Sequence, residues 1–285
     1  MLPVRDVTLV LCLADGTLLG ALPPFEVPSP WWQEVAVVVA GAREAYGLGV
    51  TVLRLLSTER ATTAEGGPVA YLAEVRSAPD RPLRPWPGEP LAEAPHRLPY
   101  ARPGGPAADL AWADTVLAAR RTPRVGAAEQ LRTWNLSSIW RLPTGDGSAW
   151  LKVVPPFFAH EGAILGRLDP AVVPPILSAA DGRMLLADVP GEDQYDAPPD
   201  RLLAIVGLLV GLQVAWAGRA AELIGLGLPD WRAVPLIALA ADTVARTVPG
   251  LDTATRARLD RLVDGLRAET VELVDVRELG EWETG

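Results

Sequence analysis

Alternation along the first part of the chain predicts paired strands. Residues 5–13, RDVTLVLCL, read as a buried strand, Ala14–Asp15–Gly16 as a turn, and TLLGAL as a second strand, which together make a hairpin. After a proline-rich loop, WWQEVAVVVAGAREAYG has helical spacing and stops at Gly47. VTVLRLLST and VAYLAEVR then read as two more strands around a glycine-rich loop at 64–68, so residues 1–78 form a small α/β unit. The next segment, 79–106, is dense in proline, which removes backbone donors and opposes regular structure; it reads as a linker.

The pattern changes beyond it. AADLAWADTVLAARR is an amphipathic helix. From Glu129 the chain reads strand, loop, strand, a tight turn at TGDG, and strand; AHEGAILGRL is a helix; ILSAADGRMLLADVPG is a hairpin turning at Asp181–Gly182. From about residue 198 the period is helical, with breaks near LGLPDW and VPGLD. Its most apolar run, Leu202–Gly218, contains Gly207, Gly211 and Gln213, is short for a membrane span, and is expected as a buried helix. The expected class is α+β, with units at 1–78, 107–193 and 194–285.

Composition narrows the function classes. An apolar fraction of 49% and a charged fraction of 21% are those of a soluble globular protein. The net charge of −9 argues against a nucleic-acid partner. One cysteine, Cys12, excludes an intramolecular disulfide and reads as a buried strand residue. No secretory leader is evident at MLPVRDVTLVLC, and a cytoplasmic protein without a membrane partner is expected.

One residue stands out chemically. Of 26 basic residues all but Lys152 are arginine. Lys152 falls on the third strand of the 129–191 region, and Glu161 lies early in the helix that follows. A compact ammonium oriented by a carboxylate is what nucleotide phosphates need, and arginine's planar fork does not replace it.

Here the chain resembles the small-molecule kinases of the aminoglycoside phosphotransferase type, which share the protein-kinase fold. WNLSSIWRL sits where that family's nucleotide-covering loop lies, WLKVV matches its lysine strand, HEGAILGRL its glutamate helix, and MLLADVPGEDQYD its adenine hinge. The resemblance covers about residues 108–265. It implies ATP as ligand, with Mg²⁺ as its companion, and a five-stranded antiparallel sheet plus helix followed by a partial helical lobe. It also implies Lys152 and Glu161 at the phosphates, Asn135, Ser137 and Ser138 as phosphate donors, and the backbone at Ala187 and Val189 against the adenine. His160, beside Glu161, reads as an exposed residue without a role. The family transfers phosphate with a later His-Gly-Asp…Asn loop, yet this sequence has no histidine after His160. LVDVRE, with Asp275, loosely resembles the family's metal strand; a helix end or tail is the other reading. The expectation is therefore a nucleotide site without a catalytic centre: a truncated kinase, a nucleotide-binding or protein-interaction pseudoenzyme, or one half completed by a second chain. A small hydroxylated acceptor is implied only by the family.

Residues 5–75 resemble a Nudix-type unit, whose motif reads G-x5-E-x7-R-E-U-x-E-E-x-G-U. Arg43–Glu44 match its RE, Glu34 is one residue out of register, and Gly47–Leu48 stand where the metal-holding glutamate pair belongs. Pyrophosphate hydrolysis is therefore the weakest of the readings, and a degenerate fold serving as lid or interaction module the better one. Trp31 and Trp32 read either as an anchor for a partner or as plain core.

Overall fold

The computed structural model describes residues 4–59, 66–192, 194, 196–247 and 250–278. The chain is an α+β protein with two five-stranded sheets. It divides into two compact units, Met1–Ala217 and Gly218–Gly285.

In the first unit, strands β1 (Arg5–Cys12), β2 (Leu18–Ala21), β3 (Phe25–Val27), β4 (Val50–Thr58) and β5 (Gly67–Val75) build one sheet. Its order is β2-β1-β5-β4, with β3 also on β1. β1 and β5 run parallel, from Arg5 opposite Gly67 to Cys12 opposite Glu74. Helix α1 (Ala36–Tyr46) packs against the sheet through Val38 and Ala42, and Gly47, with φ 68°, closes it in the left-handed conformation. The helix begins later than its apolar pattern suggests, because Trp31–Glu34 form a turn and a bridge instead. β3 was not evident in the sequence: three residues between prolines carry too little pattern. The expected loop at 64–68 lies partly outside the described residues. Cys12 is fully buried, and that burial, with Glu74 nearby, pushes its thiol up to about 12.

Arg5 is the polar centre of this half. It is 0% exposed. Its Nε donates to the Ser29 carbonyl at 2.6 Å, Nη2 to the Glu34 carbonyl at 2.7 Å, and Nη1 to the Tyr71 hydroxyl at 2.9 Å. Tyr71 in turn donates to the Trp32 carbonyl. One guanidinium thus satisfies the irregular 29–34 segment that precedes α1.

The 79–106 stretch is irregular but not free of the folded body. Arg84 bridges Ala21, Trp86 and Leu91 pack on one core cluster, and Tyr100 and Ala101 enter another. Its last residues begin α2 (Gly105–Ala119), which packs Ala113 and Leu117 onto the second sheet.

That sheet comprises β6 (Glu129–Thr133), β7 (Ser138–Thr144), β8 (Gly147–Val153), β9 (Ile176–Ala180) and β10 (Arg183–Ala187). All its pairs are antiparallel, in the order β6-β7-β8-β10-β9. Helix α3 (Glu161–Leu165) comes between β8 and β9 in the chain. β6 also ties the two sheets together. Val35 N–H donates to the Leu131 carbonyl and Thr133 N–H to the Gln33 carbonyl. The buried Gln130 amide accepts from Val52 N–H at 2.8 Å and donates to the Val52 carbonyl at 2.7 Å, standing in for a strand neighbour. Gln130→Leu should therefore lower stability by about 2–4 kcal/mol, since two buried backbone groups on β4 lose their partners; chemical denaturation measures this, and a loss below about 1 kcal/mol would mean that water replaces the amide.

The chain continues into α4 (Pro199–Trp216), α5 (Ala220–Gly225), α6 (Ala233–Thr247) and α7 (Thr253–Glu278). The run expected as a buried helix is a helix, but no residue of α4 is buried. Apolarity along the chain favours a helix here, while burial needs a closely packed neighbour over a whole face; only Leu212 and Trp216 of α4 reach half-burial. By length and composition alone, Pro199–Gly225, which contains an 18-residue window of mean hydropathy 1.7, could cross a membrane. In the second unit α6 and α7 pack together, and among the described residues Ile237 and Val263 are buried there. The 273–278 stretch, loosely like a metal strand, lies within α7 as helix, which is the other reading of it.

Candidate functional site

Strand alternation on β8 sends Ala149, Leu151 and Val153 into the core shared with α2, and Trp150 and Lys152 to the opposite face. Lys152 lies opposite Ile139 on β7 and Met184 on β10, so it springs from the middle of the sheet. α3 covers this face beside Met184, Leu186, Trp150 and Ile176. Glu161, its first residue, accepts a hydrogen bond from Lys152 Nζ through Oε1. The two side chains are 28% and 29% exposed, so the pair is sheltered but reachable from solvent.

The pair depends on a glycine. A Cβ on Gly162 would stand 2.8 Å from Ala179 Cβ and 3.1 Å from Met184 Cγ. Only a bare backbone lets α3 lie this close to β9 and β10. Gly162→Val is thus expected to lift α3 and separate Lys152 from Glu161, with a loss of about 1–3 kcal/mol from overpacking. A crystal structure of the variant with the pair intact would contradict this.

Lys152 and Glu161 open onto a cleft of about 430 Å³, also lined by Trp134, Leu136, Ser137, Phe158, His160, Ile164 and Leu165. The volume lies within the range of small-molecule sites, about 300–1,000 Å³. His160 thus belongs to the cleft wall, its ring edge-on to Phe158. Sequence spacing singled out its neighbour and missed it, along with the apolar wall. The wall's signal was the helical period of Ile164 and Leu165, which also suits plain core.

The other residues expected here are arranged differently. Ser137 lines the cleft, but its Oγ accepts from Trp134 Nε1 at 3.1 Å and its carbonyl accepts from Trp134 N–H, closing a tight loop. Ser138 is 1% exposed, does not line the cleft, and accepts from Trp140 Nε1 at 3.0 Å. Strand alternation puts successive residues on opposite faces, so both serines cannot face one ligand. Asn135 lines a neighbouring cavity that shares Trp134 with this one. Ala187 N–H donates to the Pro175 carbonyl at 2.9 Å, and Val189 is exposed; neither lines the cleft. Two of the hinge-motif residues, Asp193 and Tyr195, lie outside the described residues.

In the N-terminal half, Glu34 precedes α1, whereas Arg43 and Glu44 lie on it. The Glu34 carboxylate accepts from Ser29 Oγ at 2.6 Å and faces Arg132 at 3.4 Å. That engagement is structural, holding the 29–34 turn to β6. No group of three or more His, Cys, Asp or Glu side chains is placed to hold a metal ion among the described residues.

What the fold and cleft define is an α+β protein with a lysine–glutamate pair facing a small cleft on an antiparallel sheet. No protein-family model, curated protein or solved structure matches the chain.

Proposed function

We propose that this chain is a nucleotide-binding protein related to the aminoglycoside phosphotransferase-type kinases, with ATP phosphates received at Lys152. The observation that carries the reading is the Lys152–Glu161 ion pair at the mouth of the cleft. The arrangement around it adds support: the lysine is on the third strand of a five-stranded antiparallel sheet, and the glutamate opens the helix between the third and fourth strands. Glu161 holds the ammonium in place, and Lys152 presents a positive charge to an α- or β-phosphate. The sheltered position strengthens that attraction relative to open water.

The donor set fits phosphates better than it fits a resident metal. Glu161 is the cleft's carboxylate and is already engaged by Lys152. Magnesium would therefore arrive with the nucleotide, and no step is derived through it. The sequence carries no His-Gly-Asp…Asn segment, so these residues account for nucleotide binding and not for proton removal from an acceptor hydroxyl. A small hydroxylated acceptor, or a second chain completing the site, belongs to this reading as its extension. The N-terminal sheet and α1 then form a Nudix-like accessory unit without the motif's glutamate cage. ATP as the ligand is consistent with a cytoplasmic setting.

The test is a thermal-shift titration with Mg·ATP on the wild-type chain and on Lys152→Ala. Stabilisation of the first and not the second supports the reading; no shift in either overturns it.

A further inference from the structure

A second cavity, of about 1050 Å³, lies within the first unit between β4, the Trp31–Gln33 turn, the proline-rich 86–98 segment and the end of β6. It combines two features. Its walls carry several indoles, among them Trp31, Trp86 and Trp134. Trp31 is 42% and Trp134 43% exposed, so ring faces that could be buried elsewhere remain accessible.

The second feature is unpartnered polarity. Thr133 is 4% exposed, and its Oγ1 is buried without a hydrogen-bond partner. Arg97 Nε is likewise buried without one. Both residues line this cavity. A buried polar group left unpaired costs its full desolvation, so two at one cavity wall are informative.

The charge balance has a sign. Arg54, also in the wall, donates through its terminal nitrogens to the Ala101 and Pro90 carbonyls, which do not neutralise it. Burial, and then the neighbouring positive charge of Arg97, lower the Arg54 pKa to about 10. Arg102 nearby is paired with Glu93 at 3.2 Å. Glu89 and His96 also line the cavity, and both are exposed. The lining thus has two guanidiniums and one carboxylate, Glu89 at its solvent side; Glu93, outside the lining, also acts on Arg54 but is engaged by Arg102.

We propose that this cavity binds a planar aromatic anion, its ring among the Trp31, Trp86 and Trp134 indoles and its carboxylate or phosphate met by Arg97 and Thr133. Indole faces favour flat rings through offset or edge contacts. The anion supplies the acceptors that Arg97 Nε and Thr133 Oγ1 lack. The site adjoins the Lys152 cleft through Trp134, which lines both, but does not depend on ATP binding there.

Isothermal titration calorimetry on the full chain with 2-naphthoate, 2-naphthyl phosphate and uncharged 2-naphthalenemethanol tests it. One or both anions should bind, and the alcohol should bind at least about tenfold more weakly, since a hydrogen bond to a charged group contributes about 1.5–3 kcal/mol. Whichever anion binds tighter identifies the acid group. Arg97→Gln should weaken the anion about tenfold or more. Thr133→Val, of nearly the same shape, should weaken it while leaving the melting temperature unchanged or higher, because a buried unpaired hydroxyl is removed; it carries the test should Arg97→Gln not fold. Lys152→Ala should leave naphthoate binding untouched, which separates this site from the nucleotide cleft. Absence of binding, equal affinity for the alcohol, or undiminished affinity in Thr133→Val overturns the proposal.

Discussion

Mg·ATP at a hundredfold excess over its Kd is expected to stabilise the wild-type chain by about 2.7 kcal/mol, and Lys152→Ala not at all. Spread over a chain of this size, that is a melting shift of about 5–10 °C. The ammonium is the positive group that the cleft offers to a phosphate, since its other lining residues are apolar, aromatic, a serine, a histidine and Glu161. Removing it leaves Glu161, whose charge repels the phosphates. Lys152→Arg tests geometry rather than charge: its fork prefers a bidentate grip on Glu161, so affinity should fall although the charge is kept. Glu161→Gln should cost less, about tenfold, because the ammonium remains but loses its orienting partner. The order wild type, Glu161→Gln, Lys152→Ala is the signature of a phosphate site. Equal affinity in all three would mean that ATP, if bound, lies elsewhere.

The second large effect falls on stability. Arg5→Met is expected to destabilise the chain by about 3–5 kcal/mol, measured by denaturant unfolding. Methionine matches the length of the aliphatic stem and removes the cost of burying a charge. It also strands the Ser29 and Glu34 carbonyls and removes one of the two bonds of the Tyr71 hydroxyl, all three held by Arg5 at 2.6–2.9 Å. Arg5 has no carboxylate partner among these bonds, so its role is to satisfy backbone that no helix or strand can satisfy. The turn it holds carries Trp31 and Trp32. Arg5→Met should therefore also change the exposure of those indoles, seen as a shift in tryptophan emission. A variant as stable as wild type would show that the 29–34 segment finds its partners in water.

Much of the secondary structure was legible from local pattern. Strands with strong alternation, such as SAWLKVV, and turns with obligatory residues, such as Asp181–Gly182, are specified within a few positions: Asp181 and Gly182 both adopt positive φ, 52° and 76°. β3 escaped notice because three residues hold no period. The late start of α1 escaped it because Arg5, distant in sequence, captures the preceding carbonyls. Within the candidate site, Lys152 was visible as the lone lysine, and Glu161 as the acid one helix onward. The two serines could not be sorted, since which one faces the cleft depends on the pleat and on two indole donors. The aromatic cavity was not visible at all. Its residues come from five separated places, 31–33, 53–56, Tyr71, 86–101 and 133–135, and no local pattern links them.

The sequence by itself determined the α+β class, most strands, and the residues of the lysine–glutamate pair, because propensity, alternation and turn residues act over a few neighbours. Tertiary structure alone decided that β1 and β5 run parallel, that β6 joins the two sheets through Gln130, and that α4 buries none of its apolar residues. These depend on which distant surfaces meet. The close approach at Gly162 is a case of both: the glycine is written in the sequence, but only the packing of α3 on β9 and β10 shows why a side chain there would pull Glu161 away from Lys152.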